Sequence, residues 1–297
     1  MRWHPVAGFG RFAAACERRC YADSRPVGVV HLLLCAGTAV GAGSVAGVVA
    51  RHGGPAADAL AVGVATWAVV GGASLAMEAS ALADSLDAGD LAAARARIPH
   101  LCGRDPESLD ADGMVRAGCE SVAENTSDAV VGPLFWGALA GLPGLLGYRV
   151  VNTLDAMVGH RSARYRNFGW AAARTDDVLN LAPSRLTATL IVALAPLLGG
   201  RPGAALAVWR RDAGTHPSPN AGPVEAAAAG ALGIRLGGRT VYPHAVEERP
   251  LLGDGHPPTV TDLRRMATLS RAVTWGSTVV SVVMALRGRQ AQNRVLP

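Results

Sequence analysis

The sequence predicts an all-α fold, a polytopic integral membrane protein with four to five apolar helical segments, some broken or re-entrant, joined by helical polar loops. Three observations predict it. Charged residues make up only 17% of the 297 and mean hydropathy is +0.24, against about 25% charged in ordinary soluble domains. Apolar residues gather into runs of the roughly 20 needed to cross about 30 Å of hydrocarbon. Those runs are rich in Gly and Ala while aromatic residues are 5% of the chain, as expected where helices pack closely through small residues in lipid.

The elements follow in order. Residues 27–50 and 56–77 read as two clean spans separated by the turn "RHGGP", with His31 at the membrane interface. Residues 130–151 contain Pro133 and "GLPG". They read either as a broken, re-entrant helix, which is tolerated where the backbone is buried in protein or lines a polar cavity, or as a kinked complete span. Residues 186–209 are interrupted by "GGRPG", and residues 273–286 form the last apolar run. Between these lie polar stretches at 88–128, 152–185 and 210–271, all rich in arginine, so the positive-inside rule does not orient the chain. One membrane domain over residues 1–297 is expected.

Composition excludes several chemistries. The chain has no lysine, so all 28 of its Lys/Arg positions are arginine. A P-loop lysine, a Schiff-base lysine and a kinase-type strand lysine are therefore absent, and phosphates would be met by guanidinium groups, backbone amides and metal. A net charge of +5 is mild and points to no nucleic-acid partner. Five cysteines, an odd number without a C-x-x-C pair, read as reduced structural thiols. Met1 opens into "MRWHPVAGFGR" without an apolar h-region, so no signal peptide is expected.

The polar stretches carry the candidate chemistry. In "RDPESLDADGMVRAGCESVAENTSDAVVGP" an Asp or Ser caps a helix on which Arg116, Glu120, Glu124 and Asp128 recur at i, i+4. That stripe is either a solvated face or a carboxylate edge sharing a divalent metal. Asn152 and Asp155 lie about one helical turn apart ahead of "GHRSARYRNFG", whose Arg161, Arg164 and Arg166 suit a polyanion or anionic lipid headgroups. Asp176, Asp177 and Asn180 precede an apolar helix that Pro183 and Ser184 would start, followed by Arg185. An acidic pair with an amide is hard-cation chemistry, and a helix dipole explains one of the two acids equally well. In "HPSPNAG" two prolines preclude regular helix, so His216, Ser218 and Asn220 sit on a rigid loop, which is either a delivery device or an ordinary turn.

The run from "ESVAENTSDAVVGP" through "NTLDAMVGHRSARYRNFGWAAARTDDVLNLAPSRLTA", together with "RRDAGTHPSPNAGPVEAAAAGALGIRLGG", "RWHPVAGFGR" and "GDLAAARARIPHLCGRD", resembles the CobD/CbiB family of cobalamin biosynthesis over nearly the whole chain. His160 stands where the family usually has Tyr. Relatives carry an apolar segment and a Gly-Asp-Pro before His4-Pro5-Val6, so the start is either assigned late or one span short. The resemblance implies an inner-membrane, multi-pass adenosylcobinamide-phosphate synthase with a cytoplasmic active site. It would be an ATP-dependent ligase joining adenosylcobyric acid to (R)-1-aminopropan-2-ol phosphate or a related amino-alcohol, with Mg2+ as cofactor. Its partners would be the corrinoid, the amino-alcohol phosphate, the bilayer and other membrane-associated enzymes of the pathway.

On that reading Glu120, Glu124, Asp155, Asp176 and Asp177 take metal and base duties, with Glu124, Asp155 and Asp177 as metal ligands. Arg161, Arg164, Arg166 and Arg185 meet anions, while Asn152, Asn180, His216, Ser218 and Asn220 position substrates. Trp136, Phe168 and Trp170 would line a corrin cavity. The patches are expected to converge in one pocket. A non-enzymatic corrinoid-binding protein, an accessory or sensor protein like the distantly related AmpE proteins, and a transporter remain open.

Overall fold

A computed structural model of the chain describes residues 5–160, 162–242 and 245–295. Five of its helical segments are long and apolar enough to cross a membrane: Arg25–His52, Pro55–Asp87, Ala111–Gly159, Leu181–Leu198 and Val260–Gly288. The all-α membrane architecture holds. The chain divides into two compact units, one of Met1–Val70, Gly132–Asn180 and Thr278–Pro297, the other of Gly71–Val131 and Leu181–Ser277.

The first unit contains α1 (Pro5–Cys20), α2 (Arg25–His52), α3 (Pro55–Val69), α7 (Gly132–Leu154) and α8 (Trp170–Leu179). Its core gathers Ala13, Leu32, Cys35, Val150, Leu154 and Phe168. Small residues set the spacing: a Cβ on Gly28 would lie 1.9 Å from the Phe168 carbonyl oxygen, and one on Gly43 would lie 2.9 Å from that of Leu142. Backbones approach that closely only where Cβ is missing. His31, expected at the interface, is buried and bonds the Ala13 carbonyl at 3.2 Å, because α1 covers this part of α2.

Residues 130–151 do not form one through-going helix. α7 breaks at Gly141, whose φ of 64° and ψ of −150° belong to a region essentially reserved for glycine. Beyond the break the chain doubles back. A Cβ on Gly144 would lie 2.3 Å from the Trp136 carbonyl oxygen, one on Gly132 would lie 2.2 Å from the Tyr148 hydroxyl, and Leu145 packs on Gly137. Residues 136 and 144 in a straight helix would be about 12 Å apart along the axis. The segment is therefore a helical hairpin broken at Gly141.

The second unit contains α4 (Gly72–Asp87), α5 (Leu91–Leu101), α6 (Ala111–Thr126), α9 (Leu181–Leu194), α10 (Pro202–Asp212) and α11 (Ala221–Leu232), together with the first part of α12 (Val260–Val295). α12 continues into the first unit from Thr278. Asp110 caps α6 by accepting from the Gly113 N–H at 2.8 Å, as its position ahead of the apolar repeat predicts. α11 is buried almost all round, which its Ala and Gly content allows. A Cβ on Gly230 would sit 2.8 Å from the Ala205 backbone on α10.

Two expectations need correction. Residues 56–77 are not one continuous helix. α3 ends at Val69, Val70 is extended, and α4 starts at Gly72, because the Gly71–Gly72 pair is a poor helix former and the Gly71 N–H is taken by the Ala129 carbonyl at 2.9 Å. The polar stretch 210–271 is not purely helical either. β1 (Leu236–Tyr242) and β2 (Ala245–Leu252) pair antiparallel, with a register irregularity between Leu236 and Gly238. The break in 186–209 falls where "GGRPG" puts it, at Gly199 with φ 74°.

Candidate functional site

Each unit holds one cluster of the predicted residues. In the second unit, the Arg116–Glu120 face of α6 is not solvated. Arg116 donates to the carbonyls of Gly237 and Arg239 at 2.6 and 2.5 Å. The buried Glu120 pairs with Arg104 and accepts the Gly237 N–H at 2.7 Å. Both its oxygens are thus engaged, one by Arg104 and the other in holding strand β1 against α6. Glu124 follows one turn later and is half-buried. On α9, Arg185 and Ser184 both donate to the Asn220 Oδ1, at 3.0 and 3.1 Å.

The proline-bound loop does deliver fixed side chains. The Ser218 Oγ accepts the N–H groups of Asn220 and Ala221 at 3.3 and 3.2 Å, capping the start of α11. His216 Nδ1 lies 3.1 Å from the Ser218 N–H and 3.3 Å from the Ser218 carbonyl; the shorter contact, in which the N–H donates, goes with a neutral ring protonated on Nε2. Burial holds the His216 pKa below its usual value, so the ring is neutral at physiological pH. Its Nε2 faces Oε1 of Glu225 at 3.8 Å, both side chains being buried. Burial first, and then the charges of Glu120 and Glu124, push the Glu225 carboxyl well above the carboxylate range, with Arg249 and Arg104 opposing.

In the first unit, Asp176 is buried and accepts from two carboxamides, Asn180 Nδ2 at 3.0 Å and Asn152 Nδ2 at 3.3 Å. Each carboxamide is oriented in turn, Asn180 by the Tyr148 hydroxyl at 2.7 Å and Asn152 by Arg149 at 3.3 Å. An amide whose oxygen accepts from a donor must present its nitrogen to the carboxylate, so the clamp holds Asp176 as an acceptor. Asp155 opens a π-helical turn, Asp155–Gly159, and its Oδ1 lies where a Cβ on Gly159 would sit 1.9 Å away. Asp177 is half-buried and meets Arg174 at 3.2 Å.

The guanidinium cluster is less uniform than its spacing implied. Arg164 is bonded to Glu17 at 3.0 Å and lies over the Tyr21 ring, so it ties the 162–168 loop to α1. Arg166 is exposed, and Arg161 lies outside the described residues, as does His4. Phe168 is buried in the core against Tyr21 and His31. It cannot line a surface cavity, because α1 and α2 close over it. Trp136 donates to the Leu179 carbonyl at 2.9 Å, and Trp170 is exposed beneath Arg25.

A profile of CobD/Cbib proteins matches residues 1–270. The chain belongs to the CobD/CbiB family. It is 51% identical over 288 residues, 97% of this chain and 91% of the relative, to a protein of Mycobacterium tuberculosis strain H37Rv named cobalamin biosynthesis protein CobD. Proteins of the same name from Rhodobacter capsulatus and Chromobacterium violaceum are 48% and 42% identical, covering 75% and 96% of this chain and 70% and 91% of theirs. No solved structure matches.

Set in the CobD/CbiB chain, the geometry adds residues that spacing alone passed over. Glu225 stands in an alanine run, where a lone carboxylate is the signal. Arg104 and Tyr148 lie inside quoted motifs but have no like neighbours in sequence; folding brings them to Glu120 and Asn180. Among the described residues no three His, Cys, Asp or Glu side chains gather to hold a metal ion. The half-buried carboxylates Glu124, Asp155 and Asp177 are hard oxygen donors. Each, within its own unit, is the donor type for a cation such as Mg2+ that keeps phosphate oxygens and waters in its shell.

Proposed function

We propose that the chain is an ATP-dependent acid–amine ligase of cobalamin biosynthesis, an adenosylcobinamide-phosphate synthase working at the cytoplasmic face of the cell membrane. The observation that carries this reading is the grouping of the buried Glu120, Glu225, Arg104 and His216 with the half-buried Glu124 and Arg249, inside the residues that the family profile covers. A scaffold that only binds a corrinoid has no use for buried carboxylates, which cost stability unless they are paired.

The chemistry sets the requirements. A carboxylate does not acylate an amine, because oxide is too poor a leaving group. Phosphoryl transfer from ATP to the carboxylate of adenosylcobyric acid gives an acyl phosphate, which the amine of (R)-1-aminopropan-2-ol phosphate or a related amino-alcohol then attacks. Arg185, oriented by Asn220, presents a guanidinium to phosphate oxygens. Arg166 is exposed and available to polyanionic substrate. Within its own unit Glu124 is the carboxylate assigned to Mg2+–phosphate, and Asp155 and Asp177 are the candidates of theirs. When bound, the ion neutralises charge on the transferring phosphoryl group. Asp176, held by its two carboxamides, keeps a fixed anion toward substrate ammonium or arginine.

Membranes containing the protein are expected to convert adenosylcobyric acid, ATP and the amino-alcohol phosphate to adenosylcobinamide phosphate. Glu124→Ala and Asp155→Ala should lose the activity while still inserting. Corrinoid binding or flux without ATP-coupled product, unaffected by either variant, would instead identify a binding protein or a transporter.

A further inference from the structure

Glu225 and His216 form a pair that the roles above leave unused. The two side chains are 1% and 2% exposed, and Nε2 and Oε1 are 3.8 Å apart, beyond hydrogen-bond reach. Neither atom has a hydrogen-bond partner among the described residues. An unsatisfied buried polar group costs about 1–3 kcal/mol, and α11 is otherwise built of Ala, Gly and a few apolar residues. An alanine at position 225 would avoid that cost. With the proton on Nε2, as the shorter Ser218 contact at Nδ1 favours, the gap separates a hydrogen-bond donor from an acceptor. It is an asymmetric gap, suited to a reacting group that donates on one side and accepts on the other.

Attack of an amine on an acyl phosphate creates such a group. In the tetrahedral adduct the attacking nitrogen carries N–H bonds and the former carbonyl oxygen carries negative charge. The two atoms sit on one carbon, about 2.3 Å apart by amide bond lengths. A donor and an acceptor 3.8 Å apart converge on such a pair. We propose that His216 and Glu225 are the catalytic residues of the amine-transfer step, Glu225 binding the nitrogen and His216 the oxygen of the adduct. This assignment rests on the ligase reading above.

The step balances without any further reactant. Burial makes Glu225 a stronger base, and in its deprotonated form it takes one proton from the substrate ammonium. Its nitrogen lone pair forms the N–C bond, and the developing oxyanion accepts from His216 Nε2–H. The C–O bond to phosphate then breaks, and the second proton leaves with the phosphate. Glu120 and Glu124 on α6, with Arg104 and Arg249, are the charged groups whose fields act on Glu225. Burial at this point also keeps water from hydrolysing the activated carboxyl.

The test separates the two half-reactions, using hydroxylamine as a small nucleophile that is uncharged at neutral pH and needs no base. The parent protein should form ATP-dependent hydroxamate from adenosylcobyric acid, and amide when the amino-alcohol phosphate is supplied. Glu225→Gln keeps the shape of a protonated Glu225. It should trap hydroxamate within about twofold of the parent and lose amide formation by about 100-fold, a general-base effect. Amide formation at the parental rate, or equal loss of both products, would overturn the assignment. If Glu225→Gln does not yield folded protein, Glu225→Ala, which matches the alanine helix around it, is read in the same way, with the same outcomes. A parent that makes neither product refutes the ligase reading itself and is distinguishable from both.

Discussion

Gly144→Ala tests the helical hairpin by the sign of its effect. In a straight helix, alanine is worth about 1 kcal/mol more than glycine, so the substitution would stabilise the protein. In the folded hairpin the new Cβ falls 2.3 Å from the Trp136 carbonyl oxygen and has to move by about 1 Å to reach ordinary contact near 3.4 Å. The obstacle is backbone. The arms cannot simply part, because Leu145 rests on Gly137 and the Tyr148 ring fills the space over Gly132. Overpacking of this kind costs about 1–3 kcal/mol, and each kcal/mol lowers Tm by about 2–4 °C in chains somewhat smaller than this one. A fall of about 2–12 °C in detergent is therefore expected. Gly63→Ala is the control: on α3 its Cβ meets nothing within 4 Å, and it should raise Tm slightly. If Gly144→Ala melts with or above the parent, the two arms do not touch and residues 130–151 cross as one kinked span.

Other substitutions probe the clusters. Arg104→Leu leaves Glu120 buried without its cation, a loss of about 3–5 kcal/mol; adding Glu120→Gln should restore part of it, read by thermal melts and by protease cutting within residues 236–252. Glu225→Gln should alter stability in a pH-dependent way. A carboxyl whose folded pKa is raised contributes fully below its unfolded value, about 4.3, and that contribution is lost as pH rises through the folded value. The variant should therefore gain Tm over the parent at pH 8 and much less at pH 5, and an equal offset at both would contradict this. Asn220→Ala removes the acceptor that orients Arg185. It should raise the KM of a phosphate-bearing substrate by about 10-fold, the worth of one charge-assisted hydrogen bond, with kcat changing less.

Sequence and structure part company where the deciding interaction is non-local. Residues 27–50 read correctly because one uninterrupted apolar run is enough to define α2, and "GLPG" marks the α7 break because glycine and proline act on their own backbone. The run 56–77 misled because hydropathy cannot see a helix stop made by Gly71–Gly72 with help from the Ala129 carbonyl. The β1–β2 hairpin escaped notice because its alternation is short and heavily charged. Among the site residues, Asn152, Asp176 and Asn180 were legible as polar groups at helical spacing, and the structure brings them together. Glu225 was not, since one acid in an alanine helix has no pattern. Its meaning lies in His216, nine residues upstream across a proline-bound loop.

The π-helical turn at Asp155–Gly159 can also be seen as a phase change. Holding one residue more than an α-turn, it changes by about 100° the direction in which the chain leaves the helix at His160 for the loop that follows. Deleting Ala156 would let the turn relax to α-helical pitch without removing a charge, an aromatic ring or a hydrogen-bonding side chain. Asp155 and the arginine loop would then be out of step with each other. Loss of function in that variant, at unchanged composition of charge, would mean that the angle at which the chain leaves this helix end is itself part of the site.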